Sequence, residues 1–561
     1  MKNITEKQYI NQQHKNLFAE FEKWKPLFME VRDFLFPWLG YFEDETPNSG
    51  DRKDEMLQRT ISIEYANILA AGMQWGITSP TRPWVKYRLP DYSLMQSEEI
   101  RQWLEIRRDI VLDVLDRSNF YPSNHQFYME LGVFNTAAML IEEDPETAIN
   151  CRTFTIGEFA IGIDKKGRPN QFANNIVMTS YQMVEQFGYE NVPNEIQHEY
   201  DDGNYKTTHK VKHLVMPNKG YNPRKIGKEF MKFTDYYWTD SMDEGQYLKH
   251  GGFNEFPVMV ERWQTCGADV YGTGPGIWSL GDAKQIQLMW KDICTAAELA
   301  VKPSVMASTD MMKAGINLYP GGANYYNPVS GQTPIQSVFN VNLNMDHAAT
   351  VQEKIEECIR KHFKVDVFQL ISELNMGTGQ RTAREIIELT SEKMSQMGPL
   401  LERLQTGYLP QVIERVDSVC ERLGLFPPPP PEIQGMEIKV EYVSVLNQAQ
   451  KQNLITPILD TVKSVIEIST TTQLPEILDK IKFDKVTDHL GLLNGVPEDI
   501  IISDEEVEQI RKARAQQQAL MNQAQMGQTM AQTAKTMSQS DMSGTNALTQ
   551  VLGGPSGGLQ Q

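Results

Sequence analysis

The stretch GTGPGIWSLGDAKQIQLMWKDICTAAELAVKP (residues 272–303) marks a change of regime in the chain. Within it Ile286, Trp290, Ile293, Ala297 and Ala300 recur at helical spacing, Ser279 and Asp282 resemble an S-x-x-D cap, and Pro303 closes the run. These features predict a helix over 279–301. Gly272–Gly276 superficially matches a phosphate loop, but no Lys-Ser/Thr follows, the third glycine misses the dinucleotide spacing, and Pro275 removes an amide that a phosphate would need. The plainer reading is a flexible elbow feeding the Ser279 cap.

Behind this stretch, residues 148–263 alternate or run in short apolar blocks split by Gly, Asn, Asp and Pro, which reads as strands and hairpins. Earlier still the pattern is helical. A helix is predicted over 1–40, with Phe18, Phe21, Trp24, Phe28, Val31 and Leu35 on its stripe and Pro37 at its end. Others follow over 56–76, 98–117 and 123–140, with a short alternating strand at 84–89. Helices, then strands, then helices again favours an α+β fold over a doubly wound sheet.

Ahead of it, 303–345 is a compact insert rich in turn chemistry (YPGGANYYNPVSGQTP). A helix over 346–364 returns from it, so the two flanking helices are expected to form an antiparallel pair. A break follows at 366–379, DVFQLISELNMGTG, and then a long helix over 381–425 opened by the capping box of Thr382 and Glu385. Kinks are expected in it at Gly398-Pro399 and near Pro410. Residues 426–431 read as a polyproline spacer, 436–445 as a strand returning to the β region, and 447–500 as helical. From Asp504 the chain is a polar helix rich in Gln, Ala and Met, either a weak oligomeric coil or a flexible tail.

A chain of 561 residues exceeds one hydrophobic core, and roughly three or four domains is the prior. No apolar run reaches the ~20 residues of a membrane helix, and the first residues show no secretory pattern. Five scattered cysteines without a C-x-x-C pair argue against a disulfide framework or a zinc ribbon. The net charge of −19 excludes a protein that is basic overall and grips phosphates everywhere. His209 and His213 lie in an alternating segment, not on a helix face, and read as surface histidines. The run Glu142-Glu143-Asp144 reads as a solvated face. No metal-ligand cluster, cofactor motif or hydrolase, zinc-protease or kinase signature is present, so no enzyme is expected.

Three stretches together resemble one family: ILAAGMQWGITSPTRPWVKYRLPD (68–91), FPVMVERW with DVYGTGPGIWSLGDAKQIQLMWKDICTAAELAVKPSVM (within 256–306), and TAREI (382–386). They are similar to the portal, or head-to-tail connector, proteins of short-tailed podophages, and TIGEFAIGIDKKGRPNQF (155–172) fits the same pattern. The resemblance runs roughly from Phe18 to Ile500. It implies a mainly helical portal fold with a β-rich wing, assembled as a dodecameric ring around a channel at the capsid vertex of the virion, after assembly in the host cytoplasm. Residues 1–276 would be the wing, 277–302 and 346–365 the stem, 303–345 the clip and 366–380 a tunnel loop. Then would come a long kinked helix over 381–426, a spacer and returning strand over 427–446, a crown over 447–503 and a tail over 504–561. The implied partners are further copies of the chain, double-stranded DNA, the terminase large subunit, a tail adaptor, and the major capsid and scaffolding proteins, with no membrane. Channel-facing residues would be Lys361, Lys364, Gln369, Asn375, Gly377, Gly379, Arg381 and Arg384. The competing readings are an enzyme using the 272–276 loop and a nucleic-acid-binding module that forms no ring.

Overall fold

The computed structural model describes residues 5–42, 50–91, 93–243, 245–302, 304–306, 315–317, 336–337, 345–369, 397–443, 445–472, 476, 480–494 and 504–539. It is a mixed helix and sheet protein that divides into two units, 1–453 and 454–561.

The first unit opens with α1 (Glu6–Glu22), capped by a Thr5–Gln8 box, and α2 (Lys25–Leu35). The single helix expected over 1–40 is therefore two. Pro26, in the first turn of α2, cannot donate the bond that would continue α1, and its ring would clash with the preceding turn. The stripe survives the break: Phe21, Phe28, Val31 and Leu35 are all core residues. Next, α3 (Ile61–Ile77) starts five residues later than the periodicity predicts. The amides of Gln58 and Arg59 are drawn instead to Gln287 Oε1, at 2.6 and 2.8 Å. Strand β1 (Val85–Arg88) and α4 (Glu98–Arg117) fall where expected.

The helix predicted over 123–140 is a correction. α5 (Phe120–Val133) ends early, Asn135 takes a left-handed φ of 61°, and β2 (Thr136–Asp144) follows. The run Ala137–Ile141 is buried throughout, and periodicity alone cannot tell such a strand from a buried helix. β2 is the middle of an antiparallel sheet between β3 (Ala148–Phe154) and β9 (Val258–Arg262). A second sheet is a plain antiparallel meander: β4 (Phe159–Ile163), β5 (Pro169–Thr179), β6 (Thr208–Pro217), β7 (Phe233–Trp238) and β8 (Lys249–Phe253). Two short helices, α6 (Ser180–Phe187) and α7 (Asn194–Asp201), interrupt it and were hidden in the expected β region. They cover a small separate core of Met183, Phe187, Ile196, Val211, Tyr237 and Leu248.

His213 is not at the surface. It and Asp235 are each 1% exposed, with Nε2 to Oδ1 at 2.7 Å and the imidazole stacked on Tyr237. His209 is half-buried, its Nε2 2.6 Å from Glu199. The carboxylates of 142–144 are likewise engaged. Glu143 pairs with Arg422 at 2.6 Å, and the Asp144 carboxylate accepts from the Thr147 amide.

The long helix after residue 397 is built of α10 (Gly398–Arg403), a π-helical turn at Leu404–Tyr408, and α11 (Leu409–Arg422). The irregularity expected near Pro410 is thus a π turn, in which a missing proline donor is accommodated by widening the helix. Inside α11, Arg415 is 1% exposed; its Nε donates to Ile141 O and its Nη1 to Glu255 at 3.0 Å. This locks α11 over the β2 sheet. β12 (Lys439–Tyr442) pairs antiparallel with β1, so the returning strand meets the short N-terminal strand and not the β-rich segment. α12 (Val445–Thr472) leads out of this unit.

In the second unit, α13 (Phe483–Asn494) is joined to α14 (Asp504–Gln539) by a bidentate Arg511–Asp484 pair at 2.6 and 2.8 Å.

Candidate functional site: the stem helices and the segment that follows them

α8 spans Pro275–Val301, so Ser279 is not its cap. Ser279 is buried one turn inside, donating to Gly276 O at 3.2 Å. The helix starts earlier because proline is favoured in a first turn, where its missing N–H costs nothing. Nor is 272–276 a flexible elbow. A Cβ on Gly272 would collide with Asn135 O, one on Gly274 would lie 2.6 Å from Trp263 Cγ, and one on Gly276 would collide with Val133 O. The glycines are needed because backbone meets backbone at Gly272 and Gly276 and the Trp263 ring packs on Gly274. The local amides are also spent within the protein. Gly272 N donates to Thr136 Oγ1 at 2.8 Å, Thr273 N to Gln264 O at 2.7 Å, and Ile277 N to Asn135 Oδ1 at 3.3 Å. A phosphate would find no room, and three of the amides around it are already taken, which removes the nucleotide-loop reading.

α9 (Met345–His362) is the partner of α8. Its C-terminal His362 sits against Asp282 and Trp278 near the start of α8, so the two helices run antiparallel. Arg59 ties them together. Its guanidinium bonds Glu356 on α9 at 3.1 Å and lies 5.2 Å from the Trp290 ring on α8, while Gln287 Nε2 donates to Arg59 O. Arg59 carries no local sequence signal and was missed, since its partners lie more than two hundred residues away. Beyond this tie Met289 and Val351 still pack against the core, and past them the far halves of both helices leave it. No residue of α8 after Gln287 is buried, and Leu288 and Val301 are 61% and 78% exposed. At the far end β10 (Val305–Met306) pairs with β11 (Gln336–Ser337); most of the expected clip lies outside the described residues.

The chain turns sharply after Phe363, with Lys364 at a left-handed φ of 54°. The break does not begin at 366: residues 365–369 form a further helical turn. Val365, Val367 and Phe368 are buried, and the Phe368 ring occupies the space a side chain on Gly72 of α3 would need. This apolar docking anchors residues 365–369 against α3.

Of the residues expected to face a channel, Lys361 is exposed and pairs with Glu357 one turn back at 2.6 Å, which raises its pKa. Arg360 bonds both Asp366 and Gln369 Oε1, each at 2.6 Å. Lys364 is half-exposed one turn beyond Lys361. The structure therefore gathers Lys361, Lys364 and Gln369 at the head of one segment. Asn375, Gly377, Gly379, Arg381 and Arg384, like the capping box at Thr382, lie outside the described residues. Basic side chains here also complement the carbonyl end of α9. No described helix is long and apolar enough to cross a membrane.

Residues 7–502 match the family model described as bacteriophage head to tail connecting protein. The chain belongs to that family. It is 32% identical over 549 residues to the portal protein of Salmonella phage epsilon15, covering 98% of each chain. It is 30% identical over 550 residues to the probable portal protein of Bordetella phage BPP-1, again over 98% of both. A chain in the neck of an empty gene transfer agent particle aligns over 78% of this chain and 90% of its own at 11% identity and a TM-score of 0.33, too slight a likeness to argue from.

Proposed function

We propose that copies of this chain assemble into the ring-shaped portal at the capsid vertex, through which DNA enters and leaves the head. The observation that carries this reading is the α8/α9 pair. Two antiparallel helices are rooted in the core at one end by Gly276, Gln287 and Arg59, and stand free of it at the other. Such a projection has no use in an isolated monomer, and repeated around an axis it makes a stem. The insert at 303–345 then faces the terminase large subunit during packaging and the tail adaptor afterwards. The N-terminal α+β body, 1–276, forms the wing toward capsid and scaffolding proteins, and 447–503 the crown.

The segment after Phe368 is the part placed nearest DNA. A duplex that must slide cannot be held tightly, and an acidic chain of net charge −19 suits a wall that repels phosphate, with a few cations as weak guides. Lys361 is already neutralised by Glu357, so Lys364 is the stronger guide of the two. The test is the chain carrying Lys361→Glu with Lys364→Glu. Rings that form normally but package DNA poorly support the guide role. Normal packaging removes it and leaves the two lysines as helix-end partners only.

A further inference from the structure

The five-stranded sheet has two unlike ends. Where β5 passes into β6, α6, α7 and the turns that follow each of them gather four tyrosines: Tyr181 stacks on Tyr200 with ring centres 6.3 Å apart, and Tyr205 and Tyr189 flank Tyr200 at 5.2 and 6.4 Å. Tyr181, Tyr189 and Tyr205 are exposed. Between Ser180 and Tyr205 the chain carries six carboxylates, Glu185, Glu190, Glu195, Glu199, Asp201 and Asp202, and no Lys or Arg. Tyr189 Oη donates to Asp201 at 2.7 Å, so part of this acidic rim is fixed to the rings.

At the other end of β6, the loop 218–232 holds five cations, Lys219, Arg224, Lys225, Lys228 and Lys232, against one carboxylate, Glu229. At its tip Ile226 is fully exposed, between Lys225 and the positive-φ Gly227, with Tyr221 also exposed. The loop is a built feature: Asn218 Nδ2 donates to Glu229 O and Met231 O, and Lys228 Nζ to His250 O. An isoleucine held wholly in water on an ordered basic loop, and a tyrosine cluster ringed by acid, are each half of an interface. β6 separates them by ten residues, about 30 Å at strand rise, so one copy cannot satisfy both.

We infer that the 218–232 loop of one copy docks on the Tyr181/Tyr200/Tyr205 face of the next, Ile226 lodging among the rings and Arg224 and Lys225 meeting Asp201, Asp202 and the ring faces. The occupant is a second copy because the chain itself supplies the complementary charge and the apolar knob. Surfaces at opposite ends of one body are heterologous, the kind that closes into a ring when the rotation between neighbours permits. Tyrosine faces with carboxylates are apt receptors for Arg and Lys. The inference rests on the ring assembly proposed above and names one of its contacts.

The test uses the full chain and mass photometry across a concentration series. Arg224→Glu with Lys225→Glu should raise the concentration for half-assembly at least about tenfold, as should Asp201→Lys with Asp202→Lys, since like charges then face each other. A chain carrying all four changes should recover assembly. Thermal melts of the monomers should fall by no more than the loss of the single exposed Tyr189–Asp201 hydrogen bond, because every altered side chain is exposed. If one pair misfolds, Ile226→Ser decides the question from the loop side alone, with the same loss expected. Wild-type rings that form equally well in every variant overturn this contact while the ring stands. A wild-type chain that stays monomeric at all concentrations removes the ring and the contact together.

Discussion

α8 is one helix in two environments. At its near end it is pressed so closely on the end of α5 and the turn at Asn135 that Gly276 and the two glycines just before the helix, Gly272 and Gly274, are needed to make room. From Leu288 to Val301 nothing on it is buried. The residue types hardly differ, since apolar side chains recur along the whole length. Contact with the body distinguishes the halves. The near half spends its side chains on holding the fold, whereas the far half is available to other molecules.

The comparison breaks most completely at the near end. Gly276→Ala places a methyl against Val133 O, a backbone atom that cannot swing aside. A loss of more than about 3 kcal/mol is expected, read by chemical denaturation. A stability change below 1 kcal/mol (about a third of that) would mean the junction yields easily.

A second probe lies one turn back from this junction. Glu130 on α5 is fully buried, and desolvation lifts its pKa from 4.5 to about 8. Between those values the folded chain keeps a proton that the unfolded chain releases, so stability falls as pH rises through the window and is lowest above 8. Glu130→Gln cannot ionise. It should equal or trail the wild type at pH 5 and exceed it by about 2 kcal/mol at pH 9, measured as the difference between the two denaturation curves. Parallel pH profiles would show that Glu130 is ionised in the fold.

The smallest effect is expected at the far end. Leu288→Ser with Val301→Ser should shift monomer stability by no more than about 0.5 kcal/mol, while altering the assembly state seen by native mass spectrometry. A stability loss comparable to that of Gly276→Ala would erase the difference between the halves.

Much of this was legible in the sequence, and the exceptions share a cause. α4 was readable to the residue, because its charged and apolar faces alternate at helical period and its ends are marked by Ser97 and Ser118. The end of α8 at Val301 was equally plain; the returning α9 was legible to within two residues, and the strand expected over 436–445 is shorter, 439–442. Failures came where distant chain overrides local pattern. The glycines at 272 and 276 looked like freedom because the backbone they accommodate is about 140 residues earlier. His213 looked solvated because its shelter, Asp235 and Tyr237, belongs to the next strand. Ala137–Ile141 has no period to read once both faces are covered. At the candidate site the lysines were visible as charges, but Arg59 and Gly72, which position the stem and the segment after it, announce themselves only in three dimensions.

The π turn at Leu404–Tyr408 has a further consequence. A helix carrying one surplus residue is out of phase with itself, by about 100° of rotation per residue. The faces of α10 and α11 are therefore indexed separately, and each can seat its own apolar row, Leu400 and Leu401 on one side of the turn, Val412, Val416 and Val419 on the other. Gly407 makes the offset fit, since its bare Cα lies against the buried carboxylate of Glu261. Deleting that one residue would restore uniform winding and leave the two rows facing different directions. The surplus residue is thus a clutch plate: it lets the chain on either side be set to its own angle while remaining a single shaft.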